Sequence, residues 1–354
     1  MLQLVENTKL RMTVGRYVID ISYQGRSSEE YSLPDCVRQF CNEDDPEEGA
    51  DISYDIPAAA IHNPACLSIP DAPAVAGFAD GPYPYEIYRI PSGDYLWLRR
   101  DKAGGILLAY EISKAWSRWQ LLADQTGTAG WDSFQELAYL FPYSILNKGG
   151  ILFHGVVMEW EGSGIVIGAH SGVGKTTHAK LWQKYEEVLI LNGDRALCRR
   201  EEDRWYTYGA PWYGSSGDYL NRRTALAAIV IIEQAPDNIA EQLTPLQGAL
   251  ELIQLAFAPS FDKLLTEYTL QAIDSLVRHI PVIRLRCRPE REAVEVLKNR
   301  IDKILKLQNT DVGPGMGGMV YDKSNPSTGI QSGVFHNNQG SLKTGASGKA
   351  YGKR

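Results

Sequence analysis

A short apolar run, a glycine-rich loop and a helix follow one another without a gap, and they constrain this chain more than any other stretch. Residues 165–167 (Ile-Val-Ile) have the β-branched, apolar look of a buried strand. Ala169-His-Ser-Gly-Val-Gly-Lys-Thr176 comes next, and residues 177–185 read as a helix. Strand, glycine loop, Lys-Thr and helix are the context in which a phosphate-binding loop works. Gly172 and Gly174 lack a Cβ, so backbone N–H groups can turn inward around an anion. The helix start adds its positive dipole end and unpaired N–H groups. Lys175 can reach the outer phosphates of ATP, and the Thr176 hydroxyl can ligate Mg²⁺. Ser171, Val173 and Thr177 complete the expected nucleotide cradle. The pattern G-x-x-x-x-G-K-[ST] has Ala169 in place of its first glycine, with Gly168 just before it. The bland alternative is a glycine turn ahead of a helix that binds nothing.

The 354 residues suffice for two domains with a buried core. A net charge of −7, with no basic patch interleaved with aromatics, argues against nucleic acid as a partner. Five scattered cysteines without a Cys-x-x-Cys pair indicate neither a disulfide framework nor a zinc site. The N-terminus lacks a basic segment leading an apolar core, and the apolar runs are strand-sized. The expected location is therefore the cytoplasm, with no membrane partner.

The fold expected is α/β, in three parts. Residues 1–125 read as a mainly antiparallel β-rich region, with alternation at 14–22 and strands at 85–90, 95–100 and 106–111. Residues 34–84 read as loop-rich, with a short helix near Cys36–Cys41 and an acidic cluster, Glu43-Asp-Asp-Pro-Glu-Glu48, that is a solvated loop rather than a metal site. Trp97, Trp116 and Trp119 are packing residues or an aromatic ledge for a peptide.

Residues 126–307 read as the core. Helical spacing at 131–146 should end or kink at Pro142. Strands are expected at 151–160, 165–167, 188–191, 205–208, 226–232 and 282–286, and helices at 245–257, 263–279 and 291–307. Such a sheet binds ligands at its strand-to-helix rim. Residues 308–354 hold ten glycines and carry +3, leaving −10 on the rest, and cannot bury enough surface to fold. This disordered tail offers hydroxyls at Ser324, Ser327, Thr328, Ser341, Thr344 and Ser347.

Phosphoryl transfer needs a carboxylate for metal or nucleophile, and cations for developing charge. Asp194 ends a strand about twenty residues beyond Lys175 and can act as metal ligand or base, or simply as a turn residue of Asn-Gly-Asp. Glu233, ending the apolar strand, is either a second candidate or the point where that strand surfaces. His154 is a catalyst or a hydrogen-bonded core residue, and His170 touches phosphate or faces solvent. Arg222 and Arg223 can neutralise a transferred phosphate or form a solvated surface pair.

With these residues assembled, residues 150–290 resemble the HPr serine kinase family, whose phosphate loop lies in a fold of the phosphoenolpyruvate-carboxykinase type. The resemblance rests on Phe153-His154-Gly155, Ser171-Gly-Val-Gly-Lys-Thr176 and the Asp of Asn192-Gly-Asp-Arg195. It implies a histidine near the γ-phosphate (His154), a Mg²⁺-binding hydroxyl (Thr176) and an acidic pair serving as base and metal ligand. Asp194 matches the second acid, while Gly193 stands at the first, which leaves Asp194 or Glu233 as base. The segment Tyr208-Gly-Ala-Pro-Trp-Tyr-Gly-Ser-Ser-Gly217 with Asn221-Arg222 resembles a divergent branch, some members of which phosphorylate lasso-type precursor peptides on Ser. The implied activity is ATP- and Mg²⁺-dependent transfer to a Ser/Thr hydroxyl of a protein or peptide, by a monomer or a homo-oligomer. A non-catalytic, ATP-binding regulatory module is the alternative.

Overall fold

The computed structural model describes residues 7–24, 35–41, 49–57, 67–78, 84–126, 131–169, 172–214 and 216–311. The acidic cluster at 43–48, Cys66, His170, Ser171 and the tail from 312 onward, with its hydroxyls, lie outside the described residues. Residues 1–309 form one compact unit. The protein is a mixed α/β structure with two sheets.

The first sheet is N-terminal. β1 (Asn7–Val14) and β2 (Tyr17–Gln24) form a hairpin, followed by α1 (Asp35–Arg38), β3 (Ile52–Ile56) and β4 (Ala76–Phe78). Next come β5 (Tyr85–Arg89), β6 (Tyr95–Arg100), β7 (Ile106–Ile112) and β8 (Arg118–Asp124). The order is β1-β2-β3-β8-β7-β6-β5-β4, antiparallel except that β3 runs parallel to both neighbours. The single strand expected at 14–22 is instead a hairpin. Gly15 and Arg16 both take left-handed φ (60° and 64°), the two-residue turn that matches the strands' twist. Within the stretch expected to be loop-rich, β3 buries Ile52, Tyr54 and Ile56 between Ser53 and Asp55. Trp97, Trp116 and Trp119 are buried, which settles them as packing residues.

The core follows. α2 (Trp131–Ile145) leads through a 3₁₀ turn (Leu146–Lys148) into β9 (Gly150–Trp160), β10 (Ser163–Gly168), α3 (Lys175–Tyr185) and β11 (Val188–Asn192). Then come β12 (Arg195–Glu201), β13 (Arg204–Tyr208), β14 (Arg223–Gln234) and β15 (Ile239–Gln242). α4 (Pro245–Leu255), α5 (Lys263–His279), β16 (Val282–Cys287) and α6 (Arg291–Asp311) complete the described chain. α2 does not end at Pro142 but continues to Ile145. Proline cannot donate to the carbonyl four residues back, Ala138 O. A side chain takes that place, for Arg195 Nη1 donates to Ala138 O at 3.4 Å.

β9 and β14 each belong to two arrangements. The first half of β9 pairs with β12, and its second half pairs with β11 and β10. The start of β14 pairs with β13, and its end pairs with β16, while β10 lies along its middle, from Ala225 to Ile231. Since β12 also pairs with β13, the strands β9-β12-β13-β14-β10 close into a ring. Gly164 sits in this ring beside Thr207 and Thr224. A β-carbon there would lie 2.7 Å from Thr207 Cγ2 and 2.8 Å from Thr224 Cγ2. Beyond the ring the same strands open into the sheet β11-β9-β10-β14-β16-β15. On one face Ile165, Ile167, Val230 and Ile232 pack under α3 and α6; on the other Val166, Ile229 and Ile231 pack under α4 and α5. The second cluster is continuous with the core of the N-terminal sheet. Trp97 Nε1 donates to Glu136 of α2 at 3.0 Å, and Tyr17 OH donates to Lys148 O at 3.2 Å. No helix among the described residues is long and apolar enough to cross a membrane.

Candidate functional site

β10, β14 and β16 are mutually parallel, and β11 runs with β10 because both oppose β9. Four strand ends therefore open on one rim, and the segments that follow them meet there. The glycine loop follows β10. Gly172 and Gly174 hold φ of 80° and 116°, conformations that favour glycine, with no atom near enough at Gly172 to fill the concavity. Gly174 caps α3 without a side-chain acceptor, so the helix's first N–H groups face the loop's hollow. Val173 O accepts from Gln234 Nε2 at 3.1 Å, pinning the loop to the end of β14. Lys175 and Thr176 stand partly exposed in the first turn of α3, and Thr177 is exposed beside them. Lys175 Nζ donates to Ala169 O at 3.0 Å and so already arches over the loop.

Asp194 comes from a break in a strand. β11 and β12 run along the same edge of β9; the register shifts between Ile190 and Asn192 and then holds, with Asn192 opposite Val157 and Arg195 opposite His154. Gly193 and Asp194 form the bend between them, and Asp194 O still accepts from Gly155 N of β9 at 3.0 Å. Buried Asn192 holds the bend: its Oδ1 accepts from the N–H groups of Asp194 (2.9 Å) and Arg195 (2.7 Å). Its Nδ2 donates to Ala210 O and Trp212 O, both at 2.9 Å, fastening the 209–222 loop over the break. Gly214 then lies flush on Asp194, where a β-carbon would be 2.8 Å from Asp194 Cβ.

Basic side chains flank the Asp194 carboxylate. His154 Nδ1 is 3.2 Å from Oδ1, and Arg195 Nε is 3.3 Å from Oδ2. Burial pushes the carboxyl upward, but the His154 hydrogen bond and the charges of Arg195, His154 and Lys175 outweigh it and hold it below the usual carboxylate range. Burial lowers Lys175, and the Asp194 charge opposes that shift. Lys175 and Asp194 are thus within electrostatic reach across the rim. Arg195 was not singled out from the sequence as a site residue. It is 8% exposed, and its guanidinium carbon lies 4.5 Å from the Phe257 ring centre and 5.1 Å from that of Tyr139. The Asn-Gly-Asp-Arg quartet was its only sequence signal.

The structure brings together Gly172, Val173, Gly174, Lys175, Thr176, Thr177, His154 and Asp194. Ser171 lies outside the described residues. Glu233 reaches the same rim on the α4 face, where Arg284 Nε holds it at 2.9 Å and Arg284 also binds Glu251. Arg222 and Arg223 are not brought to the rim. They precede the residue of β14 that pairs with Ser163, five residues before the end of β10, about 17 Å away at strand rise. Arg222 binds Glu159 and Arg223 binds Glu201 there, so the cation at the site is Arg195 instead.

These groups fit a triphosphate with a divalent cation. Backbone amides and Lys175 face the hollow, and no hydrogen bond among the described residues engages the Thr176 hydroxyl. Among the described residues no three His, Cys, Asp or Glu side chains gather as a metal cage. A hydroxyl, one carboxylate and phosphate oxygens are the donor set that Mg²⁺ takes.

The sequence matches no protein-family profile and no curated protein. Among solved structures, the Hpr(Ser) kinase/phosphatase from Coxiella burnetii is similar over 45% of this chain and 96% of that one, at 9% identity and a TM-score of 0.28. A likeness that slight carries no argument about activity.

Proposed function

We propose that this chain is an ATP- and Mg²⁺-dependent kinase acting on a Ser/Thr hydroxyl of a protein or peptide, such as a ribosomally made precursor peptide. One observation supports the reading above the others: a carboxylate engaged by His154 and Arg195, on a backbone held by Asn192, sits within electrostatic reach of the loop lysine, Lys175, on the rim that the glycine loop occupies. The loop amides and Lys175 hold the phosphates in place. Thr176 and Asp194 hold the metal, which when bound withdraws charge from the β- and γ-phosphates. His154 and Arg195 keep Asp194 ionised and aimed, and buried Arg195 adds positive charge beside the transferred group. Residues 1–125 would present the acceptor, and the working location would be the cytoplasm.

Gly193 favours a second reading, a module that binds ATP without transferring phosphate, because it supplies no carboxylate beside Asp194. Asp194→Asn separates the two. With radiolabelled ATP and Ser/Thr-containing peptides, the kinase reading expects transfer to fall by about 10²-fold or more while nucleotide affinity changes little. Wild-type protein that binds MgATP and labels no hydroxyl would sink it.

A further inference from the structure

Transfer to a hydroxyl needs a group to take its proton, and the two carboxylates already placed are poorly suited. Asp194 already has His154 Nδ1 on one oxygen and Arg195 Nε on the other, which suits it to holding a metal more than to taking a proton. Glu233 is tied to Arg284. A third carboxylate stands at the same break, on the loop that crosses it. Gly193 N donates to Asp218 O at 3.2 Å, and Leu220 N donates to Leu191 O at 2.9 Å, so the loop is laddered onto the end of β11. A β-carbon at residue 193 would collide with Ser216 Oγ and lie 3.6 Å from Asp218 Oδ2. Gly193 is not among the glycines with positive φ, so space rather than backbone conformation requires it. The loop thus fills the position of the missing side chain with Ser216 and Asp218. Asp218 is half-buried, and no hydrogen bond or ion pair among the described residues engages its carboxylate.

We propose that Asp218 is the catalytic base, supplied from the 209–222 loop to the place beside Asp194 that Gly193 leaves without a carboxylate. The inference rests on the kinase reading. An electron pair of the acceptor oxygen forms the bond to the γ-phosphorus of ATP. The bond from that phosphorus to the β,γ-bridging oxygen breaks, its pair leaving on ADP. The hydroxyl proton passes to Asp218, while Asp194 stays with the metal.

The test compares wild type, Asp218→Asn, and Asp218→Asn carrying Gly193→Asp with Ser216→Gly. Phosphate transfer from radiolabelled ATP is read with water and with a Ser/Thr peptide library as acceptors. Calorimetry reads ATP affinity with magnesium and with EDTA. In Asp218→Asn, transfer is expected to fall about 100-fold or more with MgATP affinity kept within about threefold. Returning a carboxylate at 193 in the space vacated by Ser216 should recover at least about tenfold. Wild-type transfer rates in Asp218→Asn would overturn the assignment, as would a parallel loss of MgATP affinity, which would mark Asp218 as a support of the loop. Wild type that binds MgATP and transfers to neither acceptor would overturn the kinase reading itself, and Asp218's role with it.

Discussion

Acid should loosen the helix that starts at the phosphate loop, through one buried ring. His178, one turn into α3, is 3% exposed, and its Nε2 accepts from Trp182 Nε1 at 3.2 Å. Indole can only donate, so the ring carries its proton on Nδ1, which meets no acceptor among the described residues. A second proton would have to sit on Nε2 and break the Trp182 contact. Burial accordingly lowers the folded-state pKa from 6.5 to about 4. The unfolded chain takes up a proton as pH falls through 6.5 and the folded chain does not, so stability is lost between about 6.5 and 4 and is unaffected above about 7. At 1.36 kcal/mol per pK unit, the loss from pH 7.5 to pH 5 is about 2 kcal/mol. Urea unfolding of wild type and His178→Leu across that range isolates the effect. At pH 7.5 the variant should be less stable by about 1–3 kcal/mol, since Trp182 loses its acceptor. At pH 5 the gap should have closed by about 2 kcal/mol. A gap that stays constant across the range would show that the folded protein protonates His178 freely, and the argument would fail.

Two further outcomes follow from the packing. Arg195→Met leaves Ala138 O without a donor and Asp194 without one cation, and should cost about 2–4 kcal/mol in urea unfolding. Adding Pro142→Ala restores the missing helical bond, so the double variant should recover about 1 kcal/mol, whereas strict additivity would refute the link. Gly164→Ala forces a methyl against Thr207 and Thr224 where the strand ring closes, and should destabilise by about 1–3 kcal/mol. A thermal midpoint equal to wild type would show that the ring yields there.

Local patterns made much of this legible. The glycine loop needs its strand before and its helix after, and both are within twenty residues. β14 reads from composition because a strand between parallel neighbours is apolar on both faces. α5 reads from its spacing, with Asp262 capping it at one end. What stayed hidden depends on partners far along the chain. β12 carries Arg195, Arg199, Arg200 and Glu201, and only pairing with β9 and β13 makes it a strand. Asn192-Gly-Asp looks like an ordinary turn, and its position as a break in a continuous edge strand exists only opposite His154 and Gly155. Arg222 and Arg223 were misplaced because spacing along β14 does not reveal which end faces the loop. Pro142 signals a stop from local rules alone. The guanidinium that takes over its carbonyl lies fifty-three positions later, at Arg195.

Two strands shared between a closed ring and an open sheet leave the core no crease to bend along. β9 and β14 run through both parts, so tilting the ring against the sheet would bend strands whose hydrogen bonds serve both. Jaw-like swinging of half against half is therefore disfavoured within this core. Any grip on a ligand must come from the short connections at the rim, with the ladders behind them serving as an anvil.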